Sequence, residues 1–156
     1  MNAHSEDCNH LIPITDTLDR PLKDLRISVL DRCNLRCSYC MPEESLHGRG
    51  VFLPSHHLLS DGEIELLVRV FTGLGVTKVR LTGGEPLLRP GFVELVSRIS
   101  AIEGITDLAL TTNAVLLPRF AGALKQAGLG RITVSLDSLD NAIFRQMAGG
   151  RGSVSE

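Results

Sequence analysis

Three of the four cysteines in the chain lie within one short stretch, DRCNLRCSYC, as Cys33, Cys37 and Cys40. A structural zinc site needs four ligands, usually as two separated pairs, and here the fourth would have to come from a distant residue. An iron–sulfur cluster also normally takes four thiolates, so a set of three would leave one iron open to an exogenous ligand. Zinc and three metal-free thiols remain alternatives, but the C-x3-C-x2-C spacing favours an iron–sulfur cluster with an open position.

A second stretch that could do chemistry is TGGEP, at residues 82–86. Gly83 and Gly84 allow close backbone approach, and Pro86 biases Glu85 toward an extended conformation. We therefore expect backbone and carboxylate acceptors to be exposed at this point, where an ammonium group would fit. Taken alone, however, the pattern favours an ordinary β-to-α turn.

Basic residues form a third feature. Lys78 and Arg80 alternate along a predicted strand, so they project from the same face of it, and Arg26 begins another strand. A triphosphate would suit them, because an arginine fork binds phosphate oxygens in pairs and a lysine adds a point charge. The alternative is an ion pair with a nearby carboxylate, of which the candidates are Asp24, Glu85 and Asp107.

A repeating pattern of strands and helices must position these residues. Apolar alternation predicts strands at 25–30, 76–81, 106–110 and 131–136. Helices are predicted after them at 61–73, 90–102, 118–127 and 141–147, and the first begins with a capping box of Ser60 and Glu63. This order implies parallel strands with right-handed crossovers, in a doubly wound sheet or part of a barrel. In both folds ligands bind at the carboxyl ends of the strands, where the cysteine stretch, TGGEP, TTNA and SLDS all lie.

Composition limits the remaining function classes. The 156 residues carry a formal net charge of -2 and 43% hydrophobic residues, which is typical of one globular core. The charge predicts no nucleic-acid partner, and no apolar run approaches the roughly 18 residues of a membrane span. We expect a cytoplasmic protein, in which clustered cysteines are metal ligands or reactive thiols rather than disulfides. Residues 1–20 are predicted to be a mobile polar leader in which Cys8 has no role.

The cysteine spacing, with Tyr39 before the last cysteine and GGEP after the second strand, resembles the radical S-adenosylmethionine (SAM) superfamily. The resemblance implies that the three cysteines hold a [4Fe-4S] cluster whose fourth iron is chelated by the amino and carboxylate groups of SAM. It also implies that an electron from the reduced cluster cleaves SAM to methionine and a 5'-deoxyadenosyl radical, which abstracts a hydrogen atom from the substrate. The implied fold is α/β, a partial TIM-type barrel with about four βα units and parallel strands.

Four longer runs narrow the resemblance. LRISVLDRCNLRCSYCMP, KVRLTGGEPLLR, LTTN and RITVSLDSLD are similar to segments of the GTP 3',8-cyclase family of molybdenum cofactor biosynthesis. That family converts GTP to 3',8-cyclo-7,8-dihydro-GTP. By position, the resemblance implies GTP contacts from Arg26, Lys78, Arg80 and Thr111. The implied SAM contacts come from Tyr39, Gly84 and Ser135.

The same resemblance carries expectations about partners and neighbouring residues. It implies a reductant such as flavodoxin or ferredoxin, and it leaves a homodimer open. Thr112, Asn113 and Asp137 also follow strands, but each is expected to be a structural or capping residue, because these residue types often end strands and cap helices.

The resemblance covers roughly residues 18–147, and the chain departs from the family in its C-terminal part. The family holds a second [4Fe-4S] cluster with three further cysteines, whereas no cysteine follows Cys40 here. Ala114 stands where the family has glycine in TTNG. We therefore expect a fragment, with residues 21–156 as the N-terminal part of a radical SAM core domain and the fourth strand at an open edge. Another radical SAM enzyme, such as a peptide-modifying one, and a catalytically incomplete metal-binding module remain alternatives.

Overall fold

The structure is a computed structural model that describes residues 14–41 and 52–155. Most of the predicted leader, including Cys8, lies outside the described residues, so its mobility stays a prediction. The end of the leader forms a turn that is closed by an antiparallel bridge between Thr15 and Pro21. An ion pair between Asp16 and Arg20 spans the same turn, which leads directly into the first strand.

One four-stranded sheet organises the described chain. Its strands are β1 (Asp24–Ser28), β2 (Lys78–Thr82), β3 (Asp107–Thr112) and β4 (Arg131–Val134). The helices that alternate with them are α1 (Asp61–Gly73), α2 (Phe92–Ser100), α3 (Leu117–Gln126) and α4 (Asn141–Met147). The strands lie side by side in sequence order, and every neighbouring pair is parallel. This unreversed order is that of a barrel, whereas a doubly wound sheet reverses at a switch point. The α/β fold predicted as part of a TIM-type barrel is therefore confirmed.

The element bounds match the prediction best where a local cap defines them. α1 has the predicted bounds and α4 begins at the predicted residue, and Ser60 and Glu63 form the complete capping box at the start of α1. The strand bounds are displaced by up to two residues. β1 ends at Ser28 because the Leu30 carbonyl accepts the amide N–H of Gly84 from the loop after β2, instead of continuing a strand ladder.

The apolar core lies between the sheet and helices α1 to α3. The sheet face turned to these helices is apolar and buried, and its residues are Ile27, Val79, Leu81, Leu108 and Leu110. The helices contribute buried side chains that pack against it, namely Ile64, Val68, Leu95, Ile99 and Leu124. Outside this core, β4 is the last strand of the four in the described chain, and its Val134 is 49% exposed. None of the helices in the described segments is long and apolar enough to cross a membrane.

Candidate functional site

The three clustered cysteines line one cavity at the carboxyl end of the sheet. Cys33 and Cys37 are partly buried, Cys40 is exposed, and all three thiols are free. The end of β3 and the loops after β2 and β4 contribute other walls, through Thr111, Gly84 and Ser135 among others. The convergence predicted from the sequence is therefore present, and it includes Tyr39. We call this space the thiol cavity.

The end of α4 supports the cysteine loop. The amide N–H of Arg36 donates to the carbonyl of Ala148 at 3.2 Å, and that of Ser38 donates to the carbonyl of Met147 at 3.1 Å. A small apolar cluster of Leu35, Phe144 and Ala148 packs against Cys33 and Cys37. The loop is therefore held by backbone hydrogen bonds and by a core of its own.

The glycines after β2 are required by the close approach of two backbones. The N–H of Gly84 donates to the carbonyl of Leu30 at 2.6 Å, and the N–H of Glu85 donates to the carbonyl of Arg32 at 2.7 Å. A Cβ atom on Gly83 or Gly84 would collide with one of those carbonyls. TGGEP thus supports the cysteine loop through these backbone hydrogen bonds, and Gly84 also lines the thiol cavity.

Glu85 corrects one expectation drawn from the sequence. Its side chain is fully buried rather than exposed to a ligand. The carboxylate accepts hydrogen bonds from the amide N–H of Leu87 at 3.1 Å, the hydroxyl of Thr112 at 2.8 Å and the amide N–H of Asn113 at 2.9 Å. Glu85 therefore joins the loop after β2 to the end of β3, and only the backbone part of the predicted acceptor set remains available.

Tyr39 and Asp137 tie the cysteine loop to the loop after β4. The phenol hydroxyl of Tyr39 donates to the Asp137 carboxylate at 2.9 Å, although the Tyr39 side chain is 66% exposed. That hydrogen bond, followed by burial, raises the pKa of Tyr39. Sequence reasoning assigned Asp137 a structural or capping role and contained no signal for this contact, because the two residues are far apart in the chain.

Burial also raises the pKa of the Cys33 and Cys37 thiols. At Cys33 the effect is opposed by hydrogen bonds to Sγ from the Leu35 amide N–H at 3.4 Å and the Asn113 side-chain amide at 3.7 Å. At Cys37 the Asp137 carboxylate adds to the effect of burial. Metal binding would have to deprotonate both thiols, so it would release protons.

The donor set fits an iron–sulfur cluster. Within residues 14–41 and 52–155, no three His, Cys, Asp or Glu side chains converge on one point where a single metal ion could bind. A cubane cluster has a different requirement, because each thiolate binds a separate iron and the sulfurs need to surround one space. Three free thiols around one cavity, with N–H donors directed at Cys33, satisfy that requirement.

The polar face of the sheet carries four cations. Arg26, Arg80 and Arg131 occupy one row of the strand register, on β1, β2 and β4, and Lys78 lies in the preceding row. All four line one cavity on this side of the sheet. We call the surface that lines this cavity the cationic face. Alternation of Arg131 with Thr133 along β4 could have revealed the fourth cation, which the sequence reasoning missed.

The hydrogen bonds of this face test the predicted ion pairs. Asp107 pairs with Arg131. Arg80 instead donates to the hydroxyls of Thr111 at 3.3 Å and Thr133 at 3.2 Å, and Arg26 donates to that of Thr82 at 3.5 Å.

Among the described residues, Arg26, Lys78 and Arg80 each have no carboxylate oxygen within 4.0 Å. The alternative that these three cations form ion pairs with Asp24, Glu85 or Asp107 is therefore wrong within the described segments.

The thiol cavity and the cationic face share two residues, Arg26 and Thr111. Arg26 projects from β1 and Thr111 from the end of β3, so both lie at the junction of the two spaces. An elongated anionic molecule could therefore place its charged end on the cations and its other end beside the thiols.

Curated relatives match most of this chain, but the chain spans only about two fifths of their length. A protein named GTP 3',8-cyclase from Xanthomonas campestris pv. campestris (strain B100) is 56% identical over 144 residues, which is 92% of this chain and 42% of that protein. The protein of the same name from Staphylococcus carnosus (strain TM300) is 52% identical over 134 residues, 86% of this chain and 39% of the relative. For Thermodesulfovibrio yellowstonii the identity is 54% over 130 residues, 83% of this chain and 39% of the relative.

The family comparison covers the cysteine loop and all of the sheet except the start of β1. The family model of the radical SAM superfamily matches residues 27–156 of this chain. These residues include the three clustered cysteines, TGGEP and the last three strands. Both the match and the arrangement of the thiol cavity lead to one assignment. The chain belongs to the radical SAM superfamily.

Proposed function

We propose that this chain is the radical SAM part of a GTP 3',8-cyclase that acts in molybdenum cofactor biosynthesis. Membership of the superfamily implies a [4Fe-4S] cluster and SAM, and the names of the relatives suggest GTP as substrate. The observation that carries the proposal is the cationic face, where three cations lack carboxylate partners among the described residues and adjoin the thiol cavity. A triphosphate would neutralise them.

The thiol cavity provides the proposed cofactor site. Cys33, Cys37 and Cys40 would each bind one iron of the cluster, and Tyr39, Gly84 and Ser135 would contact SAM from the surrounding loops. When bound, the cluster and SAM supply a 5'-deoxyadenosyl radical for abstraction of a hydrogen atom from the substrate. The protein's part is to exclude water from one side of this space through the apolar cluster of Leu35 and Phe144.

The cationic face provides the proposed substrate site. Arg26, Lys78 and Arg80 would bind the triphosphate, and Arg131, whose charge is offset by its ion pair with Asp107, would add further N–H donors. Thr111 lies at the junction, and its hydroxyl would contact the nucleoside part of GTP, which its position in both cavities supports. The ribose would then be directed toward the thiol cavity, and the expected product is 3',8-cyclo-7,8-dihydro-GTP.

The remaining parts of the proposed enzyme would lie in the portion of the relatives that this chain does not match. That portion is more than half of each relative, since the chain spans 42% or less of the three described above. The second [4Fe-4S] cluster of the resembled family is proposed to belong there. A flavodoxin or ferredoxin as reductant, a homodimer and a cytoplasmic location remain predictions.

Anaerobic reconstitution of the 156-residue chain tests the cofactor site. We expect four irons and four sulfides per chain, a reducible cluster, and a change in its EPR spectrum on addition of SAM. Cys37→Ala should abolish cluster assembly, whereas Cys8→Ala, a matched change at the fourth cysteine, should retain it. One bound zinc ion, or an intact cluster in Cys37→Ala, would contradict the proposal.

Binding of nucleotides tests the substrate site separately. The reconstituted chain should bind GTP more tightly than guanosine, because the cationic face recognises the triphosphate. Equal affinity for the two would rule out a role for that face. A further assay uses the protein extended to the length of its relatives. If a peptide stimulates formation of 5'-deoxyadenosine and GTP does not, a peptide-modifying enzyme would be favoured instead.

A further inference from the structure

Asn113 occupies a position at the thiol cavity that the proposed chemistry does not use. It directly follows β3, and its side chain lies beside the first cysteine. The Nδ2 group donates to Oδ1 of Asn34 at 2.8 Å and to Sγ of Cys33 at 3.7 Å. A sulfur acceptor is larger than oxygen, so its hydrogen bonds are longer than those to oxygen.

The orientation of this amide is fixed by its own loop. Its Oδ1 atom accepts the amide N–H of Val115 at 3.2 Å, so the NH₂ group must face Cys33 and Asn34 rather than the loop. The intervening residue, Ala114, has a φ of 66°, in the left-handed region, and this closes the turn. The donor is therefore held in place by contacts that do not involve the cysteine.

The backbone of Asn113 is anchored independently. Its N–H donates to the buried Glu85 carboxylate at 2.9 Å, and the neighbouring Thr112 hydroxyl donates to the same carboxylate. Glu85 thereby connects the loop after β2, on which the cysteine loop rests, to the residue that contacts Cys33. This gives the amide a rigid support on two strands.

We propose that Asn113 is a positioning residue for Cys33, and that its amide hydrogen bond to the sulfur raises the reduction potential of the bound cluster. An N–H group directed at a cluster sulfur stabilises the reduced state, because that state carries one more negative charge. Removal of the donor should therefore lower the potential. The inference rests on the proposed ligation of the cluster by Cys33 and is independent of the identity of the substrate.

The experiment compares midpoint potentials of the reconstituted cluster, measured by EPR-monitored titration with dithionite in the absence of SAM. Asn113→Asp keeps the size of the side chain and the acceptor for Val115 but removes the N–H donor and adds negative charge. Asn113→Ala removes the donor without adding charge, and it also removes the acceptor for Val115. Both should shift the potential to more negative values, Asn113→Asp the further of the two. Gln126→Glu, the same amide-to-carboxylate change at an exposed residue of α3 that does not line the thiol cavity, should leave the potential unchanged.

The outcomes separate this inference from the proposed cofactor site. An unmutated chain without a four-iron cluster would reject the proposed ligation itself. Full clusters with the same potential in the unmutated chain and both Asn113 variants would overturn the positioning role alone. If both variants fail to fold, the unmutated chain labelled with ¹⁵N in asparagine side chains decides the question. Its reduced cluster should then show a weak ¹⁵N coupling by pulsed EPR, and the absence of that coupling would overturn the inference.

Discussion

The two faces of the sheet differ in their chemistry, although their residues alternate along the same strands. The face packed against the helices is apolar, and Leu81 and Leu110 are fully buried there. The opposite face carries the guanidinium groups of Arg26, Arg80 and Arg131 and opens to the thiol cavity. Because side chains alternate with a period of two, each strand supplies both faces at once.

Because of this difference, one face of the sheet mainly stabilises the fold and the other carries the candidate binding residues. The apolar face supplies the burial of surface that drives folding, and its fully buried Leu81 and Leu110 line neither the thiol cavity nor the cationic face. The cationic face contributes little burial, and three of its cations lack ion-pair partners among the described residues. Substitutions on the two faces should therefore affect different measurements.

The largest effect is expected on the apolar face. Leu81→Ala should lower the free energy of unfolding by about 2–5 kcal/mol, because it leaves a cavity at a side chain that is fully buried. Urea denaturation of the chain measures this change. Lys78→Ala, on the opposite face of the same strand, is the control and should change the free energy by less than about 0.5 kcal/mol. Similar losses in both variants would show that the faces are not separate.

The next effect concerns binding. Arg80→Ala should weaken GTP binding by roughly 1.5–3 kcal/mol, the range for a lost charged hydrogen bond, while the cluster and the unfolding free energy are retained. Calorimetric titration of the reconstituted chain with GTP provides the measurement. Arg119→Ala removes a cation from α3, away from the cationic face, and should leave the affinity unchanged. An unaltered affinity in Arg80→Ala would reject its assignment.

A third prediction places Glu85 with the structural residues despite its position in the GGEP motif. Glu85→Gln should lower the free energy of unfolding by about 1–3 kcal/mol, because glutamine keeps only one acceptor oxygen and its NH₂ group would face at least one buried donor. Chemical denaturation tests this, with Glu94→Gln on the exposed side of α2 as control. Unchanged stability together with lost SAM binding would restore the ligand role that the structure contradicts.

The smallest change is expected far from both faces, at the start of α1. Ser60→Ala removes the side-chain acceptor of the capping box and should cost about 1 kcal/mol of stability. Thermal unfolding followed by circular dichroism measures it. A change as large as that of Leu81→Ala would mean that the helix cap, rather than the apolar face, controls folding.

The same capping box predicts a dependence on pH. The pKa of Glu63 is lowered by hydrogen bonds from the backbone N–H and then the hydroxyl of Ser60. Its contribution to stability is therefore present above the ordinary glutamate pKa of 4.5 and is lost as the pH falls through the lower folded value. Urea midpoints from about pH 6 to about pH 3 should decline less in Ser60→Ala than in the unmutated chain. Parallel curves would contradict this linkage.

Local signals in the sequence predicted much of the fold. The bounds of α1 and the start of α4 were predicted correctly because caps such as Ser60 and Asp140 act on the backbone within a few residues. The ends of the strands were displaced because hydrogen bonds from other loops define them. The Leu30 carbonyl, for example, accepts from Gly84, a residue more than fifty positions away.

The candidate site also combines features that the sequence predicted with features that it did not. The spacing of the three cysteines, the glycines of TGGEP and the alternation of Lys78 with Arg80 are local properties, so the sequence alone indicated a cluster site and a phosphate site. Their meeting at one edge also followed from the order of parallel strands. The role of Glu85 could not be predicted from the sequence, because its burial depends on Thr112 and Asn113 at the end of another strand.

Composition, periodicity and motif spacing thus determined the α/β fold, the cluster of three thiols and three of the four cations on the polar face. Only the tertiary structure decided which charges pair. It assigns Asp107 to Arg131, leaves Arg80 to the hydroxyls of Thr111 and Thr133, and directs the Asn113 amide at Cys33. The physical reason is range. Motifs act through neighbouring residues along the chain, whereas ion pairs and hydrogen bonds between strands depend on register and side-chain reach across the sheet.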